Sequence, residues 1–159
     1  MSTVGTRGKY AEKETAAMLK KLGSSASFVS YRLPDARSGS FQATLADFLV
    51  VFEGIPLLLE VKQVAHDFRL NYNNFNSSQV ARQRLWKLAG SISLVLVFHS
   101  TTKMWRCLEI ESFLDRSVGG SWDLRNHQQG LIDEVFSCQL KLQFQNRERS
   151  TPSGLLTLR

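Results

Sequence analysis

Asp47 and Glu60 stand inside two apolar runs, Leu45-Ala-Asp-Phe-Leu-Val-Val and Pro56-Leu-Leu-Leu-Glu-Val-Lys62, joined by Phe52-Glu-Gly-Ile55. Apolar runs on either side of Glu53-Gly54 predict a β-hairpin. A turn centred between residues 53 and 54 sets Asp47 opposite Glu60. Lys62, two residues further on, shares their face. The flanks are apolar at both parities, with Leu45, Ala46, Phe48 and Leu49 before the turn and Leu57, Leu58, Leu59 and Val61 after it. That is the pattern of strands covered on both sides, where charges are rare unless paired or bound to a cation. Two carboxylates and an amine on one face therefore point to a divalent metal beside a lysine that acts on water. The competing reading is a set of solvent-facing strand charges.

A chain of 159 residues, 43% of them hydrophobic, suits one domain around one core. No apolar stretch is long enough to span a membrane, and the opening Met1-Ser-Thr-Val-Gly-Thr-Arg has no signal-peptide core. Cys107 and Cys138 form neither a disulfide framework nor a zinc-binding cluster, so the expected setting is intracellular and reducing, cytoplasmic or nucleoid-associated. The formal charge of +6 favours a polyanionic partner over ordinary surface charge. There is no Gly-X-Ser-X-Gly elbow and no Gly-rich phosphate loop.

Along the chain, residues 1–7 read as a flexible arm. Ala11, Thr15, Met18, Leu19 and Leu22 make one stripe of a helix from Gly8 to Leu22, closed by Gly23. Phe28 to Leu33 reads as a strand and Pro34 to Thr44 as a polar loop before the hairpin. Gln63 to Ser78 is polar and Asn-rich. Ser77 or Ser78 then caps a helix from Gln79 to Ala89, ended by Gly90. Ile92 to Phe98 is a buried central strand and Met104 to Ile110 another, with a short helix over 111–116. Residues 117–130 read as a loop, Leu131 to Phe144 as a helical turn and an edge strand, and 147–159 as a loose tail. The expected fold class is α/β, a mixed central sheet flanked by helices.

Asp47 with Glu60-X-Lys62, behind an acidic first helix, resembles the PD-(D/E)XK nuclease superfamily with its restriction-endonuclease-like core. Gly8-Lys-Tyr-Ala-Glu12-Lys-Glu resembles the opening helix of the archaeal Holliday-junction resolvases (Hjc), and Tyr31-Arg32 their strand arginine. The stretch from Phe68-Arg-Leu to Ser78-Gln79, followed by a helix, Gly90 and an apolar strand, is similar to the bacterial resolvase RecU. There a His-Gln pair opens the helix; here Ser78 stands in the histidine's place, so only Gln79 carries over. The likeness covers about residues 7–115.

That resemblance implies an Mg²⁺-dependent endonuclease, with Mn²⁺ as a substitute, that resolves four-way DNA junctions in recombination and repair as a homodimer. It implies 5′-phosphate and 3′-hydroxyl products. Asp47, Glu60, Glu12 and the carbonyl of Val61 would hold the metal; Lys62 and Gln79 would manage the attacking water. Helical periodicity does not choose between Glu12 and Glu14, which lie about 80° either side of the apolar stripe; the resemblance points to Glu12. Arg32 is read as a phosphate clamp that could equally pair with Asp35. Arg7, Lys9 and Lys13 are read as backbone-phosphate contacts, and Arg37 and Ser38 as loop contacts. Lys20 and Lys21 are read as solvated. Phe75 and Tyr72 could stack on unpaired bases or simply anchor their loop. His66, His99 and His127 are too scattered to form a ligand set. The rivals are another nuclease of the same fold, cutting flaps, ends or duplex sites, and a non-catalytic junction-binding module.

Overall fold

The computed structural model describes residues 7–25, 27–34, 45–65, 68–75, 78–113 and 120–150. The predicted hairpin is its centre. Strands β2 (Phe48–Phe52) and β3 (Ile55–Val64) pair antiparallel, from Phe48↔Leu59 to Phe52↔Ile55. Glu53 (φ 51°) and Gly54 (φ 77°) are both left-handed, as a two-residue type I′ turn requires. Strand β1 (Phe28–Arg32) lies antiparallel on the outer side of β2. Strand β5 (Ile92–His99) runs parallel to β3, and β6 (Met104–Glu109) returns antiparallel beside β5. The result is a five-stranded mixed sheet in the order β1-β2-β3-β5-β6. Strands β4 (Arg69–Asn71) and β7 (Ser121–Asp123) form a separate antiparallel pair.

Helices cover both faces because the strands are apolar at both parities. Helices α1 (Arg7–Leu22) and α3 (Ile132–Ser150) share one core with Leu57, Leu59 and Val61 of β3, supplying Ala11, Met18, Leu19, Val135 and Phe136. Alternation turns Leu58, Glu60 and Lys62 the other way. On that second face lie helix α2 (Gln79–Leu88) and the β4–β7 pair, with Leu70, Phe75, Val95, Val97, Leu108, Phe113 and Trp122 as a second core. Lys87 ties α2 across to Glu109 and Glu111, at 2.6 Å each.

Four expectations change. Residues expected as an edge strand and the start of a loose tail belong to α3, which continues to Ser150. Leu140, Leu142 and Phe144 mimic strand alternation, but Phe136, Leu140 and Phe144 recur every fourth residue and face the core. The 117–130 loop contains β7, whose partner β4 lies some fifty residues earlier. The described part of the short helix expected over 111–116 is a 3-10 turn at Ile110–Phe113; residues 114–116 lie outside the described residues. Ser78 holds the N-cap position expected for Ser77 or Ser78, but in a helical conformation (φ −100°, ψ −9°) and without a side-chain capping bond; Ser77 lies outside the described residues, as do 1–6 and 151–159.

Candidate active site

The pair Asp47–Glu60 lies one step past the last hairpin rung, Phe48↔Leu59, where the ladder opens. The Asp47 carbonyl still accepts the Leu33 N–H at 2.9 Å, which fixes the strand end against β1. Its carboxylate Oδ2 accepts the Val61 N–H at 2.7 Å across the hairpin. Glu60 is 2% exposed. Its Oε1 takes the Lys62 ammonium at 2.5 Å and its Oε2 the Gln79 side-chain N–H at 2.7 Å. Alternation along β3 brings Lys62 to Glu60. The α2 N-terminus brings Gln79, which is itself buried. The ammonium also sits 4.9 Å from the centre of the Phe75 ring.

The electrostatics follow from this crowding. Burial, then the neighbouring Glu60 charge, pushes Asp47 up to about 7, against the opposing pull of the Val61 N–H and Lys62. Burial also raises Glu60, although Lys62 and Gln79 pull it down. Glu12 raises both carboxyls further, so its charge reaches the pair from the N-terminal half of α1. Two desolvated acids with one ammonium beside Glu60 form a negatively biased oxygen cluster, which suits a hard divalent cation. The expected third acid carries a partner of its own. Glu12 pairs with the guanidinium of Arg32 at the end of β1, and among the described residues no three His, Cys, Asp or Glu side chains are gathered to hold a metal.

The remaining candidates divide. Lys9 and Lys13 are exposed on the same end of α1 as Glu12. Arg7 begins the helix. Lys20 and Lys21 are exposed at its far end, where Lys21 lies 3.8 Å from Asp133. Arg37, Ser38, Asp35 and His66 lie outside the described residues. Phe75 stacks against Phe113 and Trp122, and Tyr72 against Trp122, so both rings anchor the second core. His99 is fully buried, with Nε2 3.0 Å from Arg106 Nη1; the His127 carbonyl accepts from Arg106 Nε at 3.3 Å. The sequence reading missed the Phe75 floor beneath Lys62. The signal for it was weak: an aromatic residue four positions before Gln79, in a polar stretch.

The fold defines the class: an α/β domain with a five-stranded mixed sheet flanked by helices. It is similar to the Holliday junction resolvase Hjc of Archaeoglobus fulgidus, an archaeal hyperthermophile, with a TM-score of 0.56 and 20% identity over 80% of this chain and 98% of that one. It is also similar to the bacterial homing endonuclease I-Ssp6803I, with a TM-score of 0.52 and 13% identity over 94% of this chain and 98% of that one. No protein-family model matches the chain, and no curated protein matches it. Among the described residues, no helix is long and apolar enough to cross a membrane.

Proposed function

We propose that the chain is a metal-dependent DNA endonuclease that hydrolyses phosphodiester bonds in branched DNA, with the four-way junction as its substrate and Mg²⁺ as its cation. The observation that carries the reading is the desolvated Asp47–Glu60 pair held beside Lys62 at the open end of the hairpin. The likeness in fold to a junction resolvase supports the choice of substrate. Asp47, Glu60 and the Val61 carbonyl would hold the cation, with Glu12 completing the set from α1. When bound, the cation supplies charge neutralisation on the phosphate and acidification of the attacking water.

The chain's own groups do the rest. Lys62, held on Glu60 and backed by the Phe75 ring, would as the ammonium offset charge developing on the phosphate, or, having first given up a proton, would as the free amine take up the water's proton. Gln79 keeps one side-chain N–H on Glu60, which leaves its amide oxygen to orient the water. Arg32, exposed at the end of β1 and paired with Glu12, is placed to meet the scissile phosphate in a bidentate contact. A homodimer would match the two-fold symmetry of a junction and cut two strands of like polarity.

The test is incubation of the purified protein with an end-labelled immobile four-way junction and Mg²⁺ or Mn²⁺, with cuts mapped on all four arms. Flap, splayed-end and linear duplex DNA run alongside. Paired symmetric nicks on the junction, abolished by Asp47→Asn with binding retained, are the expected result. Faster cutting of flaps or linear duplex would move the assignment to another nuclease of this fold. Binding without cutting in either metal would make the chain a junction-binding module.

A further inference from the structure

Helix α2 is buried at two positions, and both are glutamine: Gln79 and Gln83. A helix laid on an apolar sheet face ordinarily turns leucine or valine inward. Four residues apart, the two side chains leave the same side of the helix. Each goes to a different arm of the hairpin. Gln79 donates to the Glu60 carboxylate on β3. Gln83 donates through Nε2 to the carbonyl of Leu45 at 2.9 Å, two residues ahead of Asp47. The Gln83 backbone carbonyl accepts the Ser93 hydroxyl at 3.0 Å, which pins this turn of α2 to β5.

Asp47 has use for such a hold. It precedes β2, and its backbone carbonyl is fixed by the Leu33 N–H. The approach from Leu45 to Asp47 lies beyond the ladder that aligns the hairpin. The Gln83 amide catches that approach from the α2 layer. The hold costs stability. Gln83 is 0% exposed, and its Oε1 accepts no hydrogen bond among the described residues. A buried acceptor left unmatched loses its hydration without return. Methionine would fill the same space without that penalty. The amide therefore serves an end that packing does not require, and the segment it grips is the one that carries Asp47.

We propose that Gln83 is a positioning residue for the cation site: through the Leu45 carbonyl it sets where the Asp47 carboxylate stands relative to Glu60. The inference rests on the proposed function in taking those two acids as ligands of one ion. Gln79 and Gln83 then have matched tasks, one on each arm. Gln79 orients the Glu60 carboxylate directly, and Gln83 orients Asp47 through the backbone. Groups that orient metal ligands without touching the metal change its affinity by about 10–100-fold when removed. Loss of the Gln83 amide removes none of the contacts that Glu60 makes with Lys62 and Gln79. Its effect therefore falls on the ion and not on the fold or the DNA.

The test measures Mn²⁺ binding to the full chain by calorimetry, without DNA. The native chain should bind Mn²⁺, and Asp47→Asn should abolish binding. Gln83→Met should weaken it about 10–100-fold, with a Tm no lower than native, since the unmatched acceptor goes with the amide. Ser93→Ala loosens the same turn of α2 but leaves the bond to Leu45, so it should keep the native affinity. In junction cleavage, Gln83→Met should regain the native kcat at saturating Mn²⁺ with the junction KM unchanged. Native Mn²⁺ affinity in Gln83→Met, an equal loss in Ser93→Ala, or a kcat that stays low at saturating Mn²⁺ would overturn the proposal. So would a Gln83→Met chain that melts lower or fails to fold, because the amide would then be a packing group. A native chain that binds no Mn²⁺, or whose binding survives Asp47→Asn, would remove the cation site itself, and the proposed function along with this inference.

Discussion

At the scale of single residues, the site is a charge problem solved in the protein by protonation and pairing. Asp47 ionises at about 7 in the folded chain against an ordinary 3.8. Below pH 3.8 both folded and unfolded forms hold the proton, and nothing is gained or lost. Between about pH 4 and 7 the unfolded chain has released it while the folded chain keeps it. Stability therefore falls as pH rises through that window and stays reduced above it. Asp47→Asn keeps an acceptor for the Val61 N–H and removes the ionisation. It should stabilise the metal-free protein by on the order of 2 kcal/mol at pH 8 and by almost nothing at pH 4. Denaturant melts in EDTA at the two pH values measure this; an equal shift at both would contradict the desolvation account. Lys62 poses the complementary case. Lys62→Met strands Glu60 without its ammonium, which should cost about 3 kcal/mol at pH 8. Adding Glu60→Gln should return most of that loss, and a double-mutant cycle showing simple additivity would mean that the pair is not coupled.

At the scale of elements, what could be read from the sequence was whatever local rules specify. The Glu53-Gly54 turn set the hairpin register, and with it the Asp47–Glu60 rung, because a two-residue loop leaves one pairing open. The apolar stripe of α1 and the continuous run of β5 were equally plain. The β4–β7 pair was not, because three-residue strands carry little pattern and the partner is remote. Nor was the length of α3, where one residue series satisfies both a period of two and a period near four. Within the site, Glu12 and Glu14 were equivalent by periodicity. Only the packed position of α1 brings the charge of Glu12 to bear on the carboxylate pair. The hairpin also holds a removable cost. Glu53 is a β-carbon-bearing residue at φ 51° where Asn or Gly is favoured. Glu53→Asn should raise stability by about 0.5–1 kcal/mol, seen as a rise in Tm with the proposed cleavage unchanged. A loss of stability would show that the Glu53 side chain makes a compensating contact.

At the scale of the whole molecule, the proposed DNA substrate needs a surface on which the surplus positive charge can meet it. A net +6 alone names no surface. The fold separates two groups of lysines on one helix: Lys9 and Lys13 near the Glu12–Arg32 pair, and Lys20 and Lys21 at the other end beside Asp133. If the substrate lies across the open end of the hairpin, only the first group can neutralise phosphates. Each phosphate contact adds about 0.9 to the slope of log affinity against log salt for duplex DNA. Lys9→Ala and Lys13→Ala should each lower that slope by about one and weaken binding uniformly across sequences, whereas Lys20→Ala and Lys21→Ala should leave it unchanged. Fluorescence-anisotropy titrations of a junction in Ca²⁺, from low to physiological salt, give the slopes directly. Because the slope counts released ions and not overall affinity, a variant that merely loosens the fold would not imitate the pattern. Equal slopes for all four variants would place the DNA elsewhere on the molecule and detach α1 from the site it borders.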